Sequence, residues 1–164
     1  AIILGTGLFV HVAAPIATLG TDAKLPVMMF IHGGGYTKGA GSRDILFPGF
    51  TPLDSMVGTS RGRVVVMSMN YRLGVFGFLA SDEISAQTSD RSAGNFGIQD
   101  QRAAMSWAKE HAAAFGGDGE NVMIFGQSAG GNSVINHLAQ PASFPLFNKA
   151  LVESGAYSSG AKTM

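Results

Sequence analysis

The sequence predicts an α/β protein, with a mostly parallel central sheet and helices on both faces. Strand-like apolar runs alternate along the chain with helix-like patterns, the order that gives a parallel sheet with crossover helices. The runs Val27 to Ile31 and Val64 to Met67 lack polar alternation, as strands covered on both faces do. Both fall well short of the ~18 residues of a membrane span. No repeat or low-complexity tract interrupts the 164 residues, so residues 1–164 are expected to form one domain; about 150 residues bury about 70% of their unfolded-chain surface.

Taken in order, Leu8 to Val12 reads as a short strand closed by Pro15, and Ala17 to Lys24 as a turn. Pro26 to Ile31 is expected to be a buried strand. It runs into a glycine-rich loop, His32 to Pro52, whose length exceeds an ordinary connection and points to function. Val64 to Met69 is the next strand. From Ile98 to Phe115, Ala104, Trp107, Ala108, Ala112 and Phe115 recur at three- and four-residue spacing, which places them on one helical stripe. Gly116-Gly117 ends that helix. Val122 to Phe125 is a further buried strand, Ser128 to Leu138 a helix, and Ala150 to Val152 the start of another strand.

Composition narrows the function. Eleven basic residues balance 11 acidic ones, so no net field attracts nucleic acid or an anionic membrane, and a neutral small molecule is the natural partner. Only 13% of residues are charged against 46% hydrophobic, a share that resembles the interior of a larger protein when about 25% charged is typical. Cysteine is absent, which excludes a disulfide and a thiolate zinc site. The four histidines are scattered, and neither metal-ligand spacing nor a phosphate loop is present, so no metal or cofactor is implied. No signal peptide is visible after Ala1.

The chemistry is carried by Gly126-Gln127-Ser128-Ala129-Gly130, a G-x-S-x-G sequence between a buried strand and a helix. A serine on so tight a turn needs glycines two before and two after, where Cβ atoms would clash. The helix that follows aims its N-terminal amides and positive dipole end at the oxyanion that attack on an ester carbonyl creates. Five-residue matches arise by chance, but His32-Gly33-Gly34-Gly35 follows a strand as an HGGG-type oxyanion loop does. Without side chains its backbone can approach a substrate, and its amides can converge with that of Ala129 on one oxygen.

Five blocks extend these motifs: Leu25 to Gly41 (LPVMMFIHGGGYTKGAG), Asn70 to Leu79 (NYRLGVFGFL), Gly94 to Asp118 (GNFGIQDQRAAMSWAKEHAAAFGGD), Val122 to Val134 (VMIFGQSAGGNSV) and Leu146 to Gly155 (LFNKALVESG). Over nearly its whole length the chain thereby resembles the type-B carboxylesterase/lipase family, the cholinesterase-like α/β-hydrolases. The resemblance implies an α/β-hydrolase domain, incomplete in this chain and corresponding to an N-terminal half. It implies Ser128 as acyl-ester nucleophile, Gly34, Gly35 and Ala129 as oxyanion-hole donors, and Ser154 as a serine supporting the triad acid. Gln127 stands where the family usually has Glu, which removes a negative charge beside the serine. Gly7 replaces a frequent disulfide cysteine, His11 and His111 replace Asn, and Gly119 replaces Pro. A secreted or endomembrane location is implied by resemblance alone.

A serine hydroxyl needs a histidine within hydrogen-bond reach, itself oriented by a carboxylate, and in this fold the order is Ser, acid, His. After Ser128 the only histidine is His137, roughly 13 Å along the same helix at 1.5 Å per residue. It is too far to serve. Glu153, the only later acid, sits where the family has a neutral residue. The triad acid and histidine are therefore expected beyond Met164, in a carboxylic ester hydrolase acting through an acyl-serine. The alternative is a non-catalytic cholinesterase-like binding or adhesion domain, or an inactive truncated product; the intact serine and glycine loop speak against the adhesion class.

Overall fold

The computed structural model describes residues 2–4, 8–42, 52–89 and 92–155. Its strands are β1 (Ile2–Leu4), β2 (Leu8–Ala13), β3 (Leu25–Ile31), β4 (Val65–Met69), β5 (Gly117–Gln127) and β6 (Lys149–Glu153). Its α-helices are α1 (Pro52–Thr59), α2 (Gly74–Phe78), α3 (Asp82–Gln87), α4 (Phe96–His111) and α5 (Ala129–Ala139). The strands form one sheet in the order β1-β2-β4-β3-β5-β6. β4, β3, β5 and β6 are parallel, as expected, while β1 and β2 run antiparallel to their neighbours. β1 and β2 are consecutive antiparallel strands, a pairing that needs only a short link; β2 and β3, which flank β4 and run in opposite directions, are joined by residues 14–24 without an α-helix.

Right-handed crossovers explain the layering. The chain steps from β3 to β4 through α1, then back across β3 to β5 through α4. Val27, Met29 and Ile31 of β3, Val65, Met67 and Met69 of β4, and Val122 and Ile124 of β5 share one face, packed against Ala104, Met105 and Ala108 of α4 and Val134 of α5. The alanines let α4 lie close to the sheet. Each fully buried Val, Met or Ile side chain contributes about 1.5–3 kcal/mol relative to exposure. On the other face Val66 and Ser68 are also buried, and α1 packs on β4 and β2 with Leu53 buried.

Three expectations need correction. β4 is buried at every position, but β3 alternates, with Met28 and Phe30 only half-buried, because the second helical layer covers less of it. β5 starts at Gly117 rather than Val122, since Leu25 pairs with Gly117 across a register shift before Val27. The expected loop His32 to Pro52 ends one residue sooner, because Pro52 is the first position of α1, where proline fits; residues 43–51 of that loop lie outside the described residues. α2 and α3 had no sequence signal, being too short to show a period. α4 passes into a 3-10 turn, Ala112–Phe115, and stops at Gly116, whose φ is 75°.

Candidate active site

β3 and β5 are parallel neighbours in the register Ile31 to Gly126, so both strands run out at the same place on the carboxyl edge of the sheet, where open α/β sheets bind ligands. His32-Gly33-Gly34-Gly35 leaves β3 there, and Ser128 follows β5. Ser128 has φ 56° and ψ −120°, a conformation that costs a non-glycine residue about 1–3 kcal/mol and persists only where the surroundings enforce it. The enforcement is visible. Its amide donates to the Glu153 carbonyl at 2.9 Å, and its carbonyl accepts from the Asn132 amide at 2.9 Å. A Cβ on Gly130 would collide with the Ile31 carbonyl oxygen. One on Gly33 would lie 2.6 Å from the Gln127 carbonyl oxygen and 3.3 Å from the Ser128 Cβ, so the glycine loop rests directly on the serine turn.

Gly34, Gly35 and Tyr36 are consecutive left-handed residues, with φ of 105°, 63° and 60°. The Gly34 carbonyl accepts the amides of Thr37 and Lys38 at 3.1 and 3.2 Å. The segment after β4 braces this loop. Tyr71 Oη donates to the His32 carbonyl at 2.7 Å, and its ring stacks on that of His32 at 4.3 Å. The Gly74 amide donates to the Tyr36 carbonyl at 2.7 Å, and the Gly41 amide to Asn70 Oδ1 at 2.8 Å. His32 is buried with Nδ1 2.8 Å from the Gly33 carbonyl; an acceptor there puts the proton on Nδ1. Burial lowers its pKa.

The residues expected to act are thus brought together: Ser128, the loop Gly33 to Gly35, and Ala129 as first residue of α5. Gln127 ends β5, paired in register with Glu153. Ser154 follows β6 with φ 49° and is exposed. The other three histidines have partners elsewhere. His137 is buried with Nδ1 2.9 Å from Ser143 Oγ and Nε2 3.0 Å from Gln101 Oε1; desolvation, then the Arg102 charge, pushes its pKa down to about 4. His111 stacks on Trp107 at 4.7 Å, and His11 sits on β2 opposite Ser68. A cavity of about 570 Å³ beside Arg72 and Asp100 is lined by none of the expected site residues. Sequence reading missed Tyr36, Asn70, Tyr71, Gln101 and Ser133. Ser133 and His137, four apart on α5, and Gln101 among the apolar positions of α4 were the available signal, polar residues on core-facing stripes.

The sequence profile of the Carboxylesterase family matches residues 6–164. The chain belongs to this family. The carboxylesterase-family chain is 45% identical over 150 residues to the para-nitrobenzyl esterase of Bacillus subtilis (strain 168), a match covering 91% of this chain and 28% of that protein. It is 40% identical over 132 residues to an acetylcholinesterase of Leptinotarsa decemlineata, covering 80% of this chain and 20% of that one. Among solved structures, a Geobacillus stearothermophilus carboxylesterase superposes with a TM-score of 0.76 at 40% identity, over 92% of this chain and 29% of the other. The sheet described above is accordingly part of an α/β-hydrolase fold.

Proposed function

We propose that the protein is a carboxylic ester hydrolase working through an acyl-serine intermediate on Ser128. The observation that carries this reading is the strained Ser128 turn at the head of α5 with the glycine loop pressed against it. Ser128 Oγ attacks the ester carbonyl as its proton passes to a histidine base. The oxyanion so formed is held by the amides of Gly34, Gly35 and Ala129; loss of one such donor costs about 2.7–4 kcal/mol. Collapse expels the alcohol, which takes the proton, and leaves the acyl-serine. Water then attacks the acyl group by the same route, releasing the acid and restoring the serine.

In this reading the histidine and its carboxylate come from sequence outside these 164 residues, since both ring nitrogens of His137 are engaged in the helix layer. Ser154 supports that carboxylate, and Gln127 keeps the nucleophile's neighbour neutral. The reaction requires no cofactor. Equal numbers of basic and acidic residues suit an uncharged small ester. The test uses the complete protein that carries this chain. A fluorophosphonate probe should label Ser128, and Ser128→Ala should abolish both labelling and p-nitrophenyl ester hydrolysis. Undiminished hydrolysis by the alanine variant would remove Ser128 from the mechanism.

A further inference from the structure

We propose that Ser133 is a positioning residue that sets the distance between the two sides of the oxyanion site, an inference that rests on the acyl-serine reading above. The proposed donors come from two segments far apart in sequence, Gly34 and Gly35 after β3 and Ala129 at the start of α5. An oxyanion donor acts at about 2.7–3.1 Å, so their relative placement must be held to a few tenths of an ångström. Ser133 reaches both segments at once. Its Oγ donates to the Ala129 carbonyl at 3.1 Å and lies 3.3 Å from Tyr36 Oη. Tyr36 directly follows Gly35, and its carbonyl is pinned by the Gly74 amide at 2.7 Å.

Behind Ser133 a buried polar chain fixes where its oxygen sits. Gln101 Nε2 donates to Ser133 Oγ at 3.0 Å, which leaves Gln101 Oε1 as acceptor for His137 Nε2 at 3.0 Å. A neutral His137 protonated at Nε2 accepts at Nδ1, from the Ser143 hydroxyl 2.9 Å away. With this amide orientation and this tautomer every member of the chain has a partner. Gln101, Ser133, His137 and Ser143 are all fully buried. Apolar residues of similar volume would fill this space without the desolvation cost of four polar groups. What the polar chain adds is a fixed direction at Ser133, and its free end points to the residue after the glycine loop.

The experiment measures kcat and KM for p-nitrophenyl acetate, inhibition by a trifluoromethyl ketone that mimics the tetrahedral oxyanion, and thermal unfolding, for the complete protein and its Ser133→Ala, Tyr36→Phe and double variants. Each single variant should lower kcat on the order of 10-fold with KM little changed, and should weaken the ketone by the same factor. The double variant should lose no more than the worse single one, because both remove the same link. Unchanged kcat in a folded Ser133→Ala, or losses that multiply in the double variant, would overturn the inference. Should Ser133→Ala fail to fold, Tyr36→Phe alone decides, and wild-type kcat in it also overturns the inference. If the unmodified protein takes no fluorophosphonate label, the acyl-serine reading itself fails. A labelled protein with kcat-neutral variants sinks only the role of Ser133.

Discussion

The amide of Ser128 donates to the carbonyl of Glu153 at 2.9 Å, tying the strained serine turn to the end of β6. Gly131 sits against the same carbonyl, and a Cβ there would lie 2.7 Å from it and 3.1 Å from the Gly155 amide nitrogen. Gly131→Ala should therefore push the end of β6 off the turn. Overpacking of this kind costs about 1–3 kcal/mol, and kcat should fall with stability. An alanine variant with wild-type melting and wild-type kcat would show that β6 does not hold the serine turn.

The two proposed donors in the glycine loop differ in tolerance. At Gly34 a Cβ would run into the Lys38 carbonyl oxygen, and φ is 105°, so Gly34→Ala must move the loop backbone. At Gly35 the nearest atom to a Cβ is Thr37 Oγ1 at 3.9 Å, so Gly35→Ala meets only the left-handed φ of 63°, a penalty of about 1–2 kcal/mol. Gly34→Ala should lower kcat on the order of 10²-fold or more, and Gly35→Ala much less. Steady-state kinetics on the two variants giving the opposite order would mean that the loop follows another path in the working enzyme.

His137 makes stability depend on pH. Its pKa is pushed down to about 4 from 6.5, so the unfolded chain takes up a proton near pH 6.5 that the folded chain refuses until about pH 4. Stability is complete above 6.5, falls as the pH drops through that window, and levels off below it. The contribution is on the order of 3 kcal/mol at about 1.36 kcal/mol per pKa unit. Burial lowers the pKa values of His32 and His11 as well, with the same sign. Urea midpoints recorded from pH 7 to pH 4 should slope less for His137→Asn than for the unmodified protein, and parallel slopes would count against the assignment.

β6 is exposed along its whole length, with Leu151 45% and Val152 36% accessible. Among the described residues it pairs only with β5. An apolar strand with an open edge is a template for pairing with other chains. The 164-residue chain expressed by itself should therefore self-associate in light scattering, and Val152→Lys should reduce the association. A monodisperse monomer of the unmodified chain would show that this edge is not adhesive.

The parallel core, the α4 stripe and the close-packed glycines were legible in the sequence because each reflects a local rule: apolar runs for covered strands, a 3.6-residue period for a helix on a sheet, glycine where backbone meets backbone. α2 and α3 were not, since five or six residues carry no period. The antiparallel entry of β1 and β2 was also hidden, because strand direction depends on which neighbour a strand finds. The sequence by itself determined that a serine turn and a glycine loop each follow a strand. That β3 and β5 are neighbours, so that Gly33 touches the turn, was decided by strand order. Tyr36 meets Ser133 from 97 residues away; such a hydrogen bond exists only once helix and sheet have packed, because its geometry belongs to the distance between elements and to no local pattern within them.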